Sequence, residues 1–130
     1  MQEFTNKPSL LVVDDDPVVL EVVCESLKRS LVDVHIESTD SPKIALRQAT
    51  SRRYSAVVTD VTMPVMNGLE LASKIHDVHP HMPIVFISGT DQALDDCRPQ
   101  AFACLRKPFD MSVFVDTVRS AVESCAEPRH

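Results

Sequence analysis

Four short apolar runs in this 130-residue chain end in side chains able to do chemistry. LLVV, residues 10–13, runs into Asp14, Asp15 and Asp16, and AVV, residues 56–58, runs into Thr59 and Asp60. IVFI, residues 84–87, is followed by Ser88, and the run ending at Leu105 is followed by Lys107. Three carboxylates brought close together repel and raise one another's pKa values unless a cation sits among them. An oxygen-only donor set with positions left for water suits Mg2+ in near-octahedral geometry. A hydroxyl and an ammonium on the same rim are what a phosphoryl group would need. The segment TDVTMPVMNG, residues 59–68, singles out Asp60, whose carboxylate stands where a buried strand stops and a loop with Pro64 and Gly68 begins.

Whether these groups meet depends on the elements that carry them. Ser9–Val13, Leu31–Ile36, Ser55–Thr59, Pro83–Ile87 and Phe102–Leu105 are apolar and too short for helices, so they read as strands. Between them the spacing predicts helices. Pro17–Arg29 carries Val18, Val19, Val22, Val23 and Leu27, with Pro17 suited to the first turn. Ser41 and Pro42 open Lys43–Thr50 as N-cap and first position. Gly68–His76 follows, then a short polar helix over Thr90–Pro99, which Pro99 should end. Asp110 can cap a last helix with a stripe of Phe114, Val118, Ala121, Val122 and Cys125. Alternating strands and helices predict an α/β fold: a doubly wound five-stranded parallel sheet with helices on both faces. Burial on both faces also explains continuously apolar strands. In the flavodoxin-like order 2-1-3-4-5, strands 1 and 3 are neighbours at the switch point, where ligands bind. Asp14, Asp15 and Asp60 would then converge. One domain over residues 9–125 is expected, with loose ends at 1–8 and 126–130.

The formal net charge of −6 leaves no basic stripe to neutralise phosphates, which argues against nucleic-acid binding. The four cysteines, Cys24, Cys97, Cys104 and Cys125, form no CxxC pair, so neither a zinc site nor a dithiol redox motif is indicated. Cys24 and Cys125 fall on apolar helix faces, as small core residues do. The N-terminus lacks a signal-peptide core, and no apolar run reaches membrane-spanning length. The expectation is a soluble, cytoplasmic protein with reduced thiols and no membrane insertion. The HDVHPH cluster (His76, His79, His81) has no partner cysteines and is not read as a metal site.

The blocks LLVVDDDP, TDVTMPVMNGLEL, PIVFISG and LRKPF, in this order across residues 9–125, resemble the signature blocks of response-regulator receiver domains, the CheY-like phosphoacceptor domains of two-component systems. The resemblance implies that Asp60 is the phosphoacceptor. Its carboxylate would take a phosphoryl group from a histidine kinase or a histidine phosphotransfer protein. Asp15, Asp60 and the backbone carbonyl of Thr62 would bind Mg2+ directly, and Asp14 through water. Lys107 and Ser88 would hold the phosphoryl oxygens, while Thr62 and Thr90 would tune the lifetime of the acyl phosphate. Lys107-Pro108 resembles the family's cis peptide. Val18, Val19, Val22, Pro108 and Phe109 would form the surface where the phosphodonor docks, although some of these valines must face the sheet. Such a domain is a switch with slow autodephosphorylation rather than an enzyme with turnover. No output module is expected after the last helix. Action by phosphorylation-dependent contact with a further protein is implied; a stand-alone receiver, a relay and a part of a larger regulator all stay open.

Two other readings compete. LLVVDDDPV also fits the opening of haloacid-dehalogenase-like phosphohydrolases, with Asp14 as nucleophile and Asp16 as acid/base. That reading leaves Asp60 and its loop unexplained. A phosphorylation-inactive receiver scaffold is the other, and the complete acidic set argues against it.

The chain departs from the receiver pattern on one face. Cys104 stands where an aromatic switch residue is usual, Gln100 where glycine is usual, and the Ser88-to-Lys107 interval is short by about one helical turn. Signalling without the aromatic switch is therefore expected. Cys104→Tyr should leave the rate of phosphorylation by acetyl phosphate close to wild type; a large loss of phosphoacceptance would contradict this.

Overall fold

The computed structural model describes residues 7–126, with side chains through residue 124. Most of residues 1–8 and 126–130, expected to be loose ends, lie outside the described residues. In chain order the elements are β1 Ser9–Val13, α1 Pro17–Ser30, β2 His35–Thr39, α2 Pro42–Ser51, β3 Ala56–Asp60 and α3 Gly68–Val78. Then come β4 Ile84–Ser88, α4 Asp91–Cys97, a 3-10 turn at Arg98–Gln100, β5 Ala103–Arg106 and α5 Met111–Ala126.

Local chemistry starts the helices. Asp16 accepts hydrogen bonds from the amides of Val18 and Val19 ahead of Pro17, and Ser41 accepts from Ile44 ahead of Pro42. Asn67 and Glu70 form a reciprocal capping box at α3, and Thr90 accepts from Ala93 at α4. Each side chain satisfies an amide that the first helical turn leaves without a partner. Lys28 and Arg29 close α1 at its negative end.

All strand pairs are parallel, in the order β2-β1-β3-β4-β5. Both faces are covered. On one, α1 and α5 bury Leu20, Leu27, Phe114 and Val118 against Leu10, Val12 and Val58. On the other, α2, α3 and α4 bury Ala45, Leu71, Ile75 and Leu94 against Leu11, Val57 and Phe86. Burying a large apolar side chain this completely contributes about 1.5–3 kcal/mol. Cys24 is buried beneath α1, as expected; the side chain of Cys125 lies outside the described residues.

The second strand lies later than its apolar run suggested. Leu31 caps the end of α1 and is buried in the core, while Val34 packs against the same cluster before β2 begins. Those residues are apolar because they close the helix onto the sheet. The strand itself, HIEST, lies at the sheet edge and is only partly covered. It does not need continuous apolarity, and charged groups on an edge discourage pairing with other chains. The other predicted strands begin within one residue of the observed ones.

The edge is tied down by one polar network. Tyr54, 1% exposed, donates its hydroxyl to Glu37 at 2.7 Å and accepts from Arg52 at 2.9 Å. Arg52 also pairs with Glu37, and His35 Nε2 is 2.9 Å from the same carboxylate. The Arg52 guanidinium, helped by the Tyr54 hydroxyl, holds the Glu37 carboxyl below its ordinary value. A carboxylate so lowered stabilises the fold above its ordinary pKa, and that stability is lost as pH falls through the lower folded-state value. Glu37→Gln keeps an acceptor for Tyr54 but loses the charge that pairs with Arg52, and should therefore cost about 1 kcal/mol at neutral pH. In urea unfolding at a series of pH values, the gap to wild type should close as pH drops below the ordinary glutamate range; a constant gap would show that charge has no part.

Candidate functional site

Strand register brings the carboxylates together. Val13 of β1 pairs with Thr59 of β3, so the next residues, Asp14 and Asp60, leave the sheet side by side. Asp14, Asp15 and Asp60 each offer an oxygen within 4.8 Å of the others. Asp14 and Asp60 are buried, while Asp15 is exposed. Lys107 enters from the far end of β5, its Nζ 3.2 Å from Asp60 Oδ2 and 3.9 Å from Asp14 Oδ2. The Lys107-Pro108 bond is cis, as expected.

Burial pushes the Asp14 carboxyl above its ordinary value; Asp60 and Asp15 push the same way, against the Asp16 amide and Lys107. The fold therefore disfavours the ionised form of Asp14, and a nearby cation would favour it. Among the described residues, the Lys107 ammonium pairs with two of the three carboxylates, Asp60 and Asp14. An all-oxygen, net-negative donor set with one member open to solvent fits a hard divalent cation that keeps some of its water.

The loop after β3 is built around a close approach. A Cβ on Gly68 would lie 2.3 Å from the carbonyl oxygen of Asp60 and 3.0 Å from Cα of Val61. The Gly68 amide donates to Val61 O at 2.8 Å. Only a residue without a side chain lets the start of α3 press against the peptide that carries the Asp60 side chain. Thr62 is exposed at the start of this loop. At its tip Val65 has φ 74°, the left-handed region, and the Met66 amide donates to Pro64 O at 2.8 Å. That conformation is uncommon for a β-branched residue.

Ser88 ends β4, 1% exposed, and its Oγ accepts from the Thr90 amide at 3.2 Å. The Ser88 carbonyl accepts from the Lys107 amide at 2.8 Å. Thr90 is exposed and caps α4. Arg106, which the sequence reading passed over, reaches this loop and bonds Gly89 O at 2.8 Å and Asp91 at 3.0 Å. Its pairing opposite Ser88 was not visible without the register.

The five expected docking residues border one apolar groove of about 500 Å³. Val18 and Val22 are 68% and 53% exposed and Val19 is half-buried; Pro108 and Phe109 line the groove with them, as do Asp14 and Lys107. Phe109 stacks on core Phe114, with ring centroids 5.0 Å apart. Of the three valines, Val19 packs against the core cluster on the sheet, next to the buried Val23.

Cys104 is half-buried on the face covered by α2–α4, its Sγ 3.9 Å from Leu94 O. Burial raises the thiols of Cys104 and Cys97, the latter to about 11, which makes both poor nucleophiles. His76 bonds Gln100 and the Met82 carbonyl, so it ties α3 to the 3-10 turn. Among the described residues the histidines form no cluster able to hold a metal. Asp16, the acid/base in the phosphohydrolase reading, has a carboxylate oxygen occupied by the amides of Val18 and Val19.

A sequence model of the response regulator receiver domain matches residues 10–119. The DNA-binding transcriptional regulator NtrC of Bradyrhizobium is 30% identical over 124 residues, which are 93% of this chain and 25% of NtrC. The chain thus spans a quarter of that relative's length. A CheY-like receiver domain from Methanospirillum hungatei superposes with a TM-score of 0.81 at 20% identity, covering 92% of this chain and 96% of that one. The receiver domain of a sensor histidine kinase from Pseudomonas aeruginosa, with a magnesium ion coordinated in its active site cleft, gives 0.76 at 23% identity, covering 89% and 98%. At these identities the two structures speak to the fold.

Gly68→Ala should cost about 1–3 kcal/mol, because the Cβ would meet backbone. Thermal unfolding measures that loss. Calorimetric titration with Mg2+ should also show weakened binding, since the peptide that must move carries Asp60. Unchanged stability would show that the loop yields freely.

Proposed function

The chain belongs to the response regulator receiver domain family, and from that premise we propose that Asp60 is its phosphoacceptor. The observation that supports this most directly is the buried Asp60 carboxylate, 3.2 Å from Lys107 and within the three-carboxylate cluster. Asp60 attacks the phosphorus of a phosphohistidine on a histidine kinase or phosphotransfer protein. An Asp60 oxygen–phosphorus bond forms, the phosphorus–nitrogen bond breaks, and the imidazole leaves with the electron pair. Asp15, Asp60 and the Thr62 carbonyl would hold Mg2+, with Asp14 reaching it through water. Bound there, Mg2+ would neutralise charge on the transferring group and align it. Lys107 would pair with a phosphoryl oxygen, and Ser88 would donate its hydroxyl to another. Such a reaction needs positioning and charge neutralisation more than covalent help.

Thr62 and Thr90 flank the site from the two loops and govern how water reaches the acyl phosphate. The phosphodonor docks on the groove of Val18, Val19, Val22, Pro108 and Phe109, which Asp14 and Lys107 also line. An apolar groove that includes groups of the site suits a helix that carries the donor histidine at its edge. The loaded domain then acts on a further protein by contact, in the cytoplasm. No described helix is long and apolar enough to cross a membrane. Phosphorylation adds charge at one point and biases a surface between two arrangements.

Intact mass after incubation with acetyl phosphate tests this. Wild type should gain one phosphoryl group only when Mg2+ is present, and Asp60→Asn should gain none. An adduct that survives in Asp60→Asn would move the nucleophile to Asp14. Absence of any adduct, together with no binding of beryllofluoride, would favour the inactive scaffold.

A further inference from the structure

We propose that Arg106 is a positioning residue that sets the place of the Ser88 hydroxyl. The inference rests on the reading of Asp60 and Ser88 given above and adds a residue to it. Arg106 ends β5, opposite Ser88 in the sheet. Its Nε donates to the Gly89 carbonyl at 2.8 Å, and its Nη1 donates to Asp91 at 3.0 Å. The two contacts fall on either side of Thr90, whose amide bonds Ser88 Oγ at 3.2 Å. One guanidinium thus holds the loop from both flanks, as its rigid fork of donors allows.

Apart from the cap that joins Thr90 to α4, little else holds the loop. Gly89 is exposed, and a Cβ built there would touch nothing within 4 Å, so packing does not fix its peptide. Asp91 is 75% exposed, and its ion pair alone contributes little. The stronger contact is the charged donor on the Gly89 carbonyl. Lys107, the next residue, fixes the other end of the arrangement through its amide on Ser88 O and its ammonium on Asp60 and Asp14. Neighbouring side chains, Arg106 at the end of β5 and Lys107 just beyond it, therefore separate two tasks. Lys107 holds the acidic cluster, and Arg106 holds the loop with the hydroxyl. If the loop is released, the hydroxyl is correctly placed for only part of the time, and apparent affinity for a phosphoryl group falls by that fraction.

Calorimetric titration with beryllofluoride in saturating Mg2+ tests the inference, using wild type, Arg106→Ala and Arg106→Lys. Mg2+ binding and thermal unfolding are measured alongside. Arg106→Ala should weaken beryllofluoride binding about three- to tenfold. Mg2+ affinity, which depends on the carboxylates, should stay within about twofold on the same scale. Arg106→Lys keeps one donor and should recover part of the loss. Unchanged beryllofluoride affinity in Arg106→Ala would overturn the inference, and a drop in melting temperature alone would assign Arg106 a merely structural role. Tighter binding would reverse its sign and equally overturn it. Parallel loss of Mg2+ binding would show a general disturbance instead. If wild type itself binds no beryllofluoride, the reading of Asp60 fails first and carries this inference with it.

Discussion

Mutual repulsion of carboxylates is the constraint around which this structure is organised. Three acidic side chains meet within 4.8 Å at the ends of two neighbouring strands, two of them buried. No local preference would bring them together. The parallel pairing of β1 and β3 does: both strands are buried along their length, and a slip of register would draw a carboxylate into the apolar sheet. The core thus holds charges in a place they would otherwise leave. Lys107 offsets part of the repulsion, while burial, more than the neighbouring carboxylates, raises the Asp14 carboxyl. A site with unbalanced negative charge favours cations and the transfer of a group that arrives with one.

Around that cluster the molecule divides into rigid and yielding parts. β1, β3 and β4 are buried almost throughout, and their carboxyl ends supply Asp14, Asp60 and Ser88. Gly68 fixes the loop after β3 by close approach of backbone to backbone. The loop after β4 has no such packing and is held by hydrogen bonds from β5. Hydrogen bonds at an exposed loop are exchanged more cheaply than packed side chains. A change in charge at Asp60 would therefore be felt first in that loop.

The face that departs from the receiver pattern adjoins the same loop. Cys104 packs beneath α4 with a raised thiol pKa, so it serves as a small apolar filler. Helix α4 has seven residues and passes into a 3-10 turn at Arg98–Gln100. Gln100 bonds His76 of α3, which adds a cross-link between elements. A side chain with no aromatic bulk has no large rotation with which to report a change. The contacts of Arg106 lie at the surface, where a partner can reach them.

Most of the framework was legible in the residues themselves. The cap at Ser41, the prolines at the starts of α1 and α2 and the short apolar runs are local signals, because each acts on atoms a few residues away. Combined with the common five-strand order 2-1-3-4-5, they were enough to predict that Asp14, Asp15 and Asp60 converge. Tertiary structure decided what depends on distant neighbours. The apolar run at residues 31–36 reads as a strand, yet Leu31 and Val34 close α1 onto the core and the strand is HIEST. Edge position made that polar strand acceptable, and the Glu37–Tyr54 bond, between residues 17 apart, secures it. The roles of Gly68 and Arg106 were likewise unreadable. A glycine in a turn and an arginine before a lysine are common; only the folded chain puts one against the Asp60 carbonyl and the other on the loop that carries Ser88.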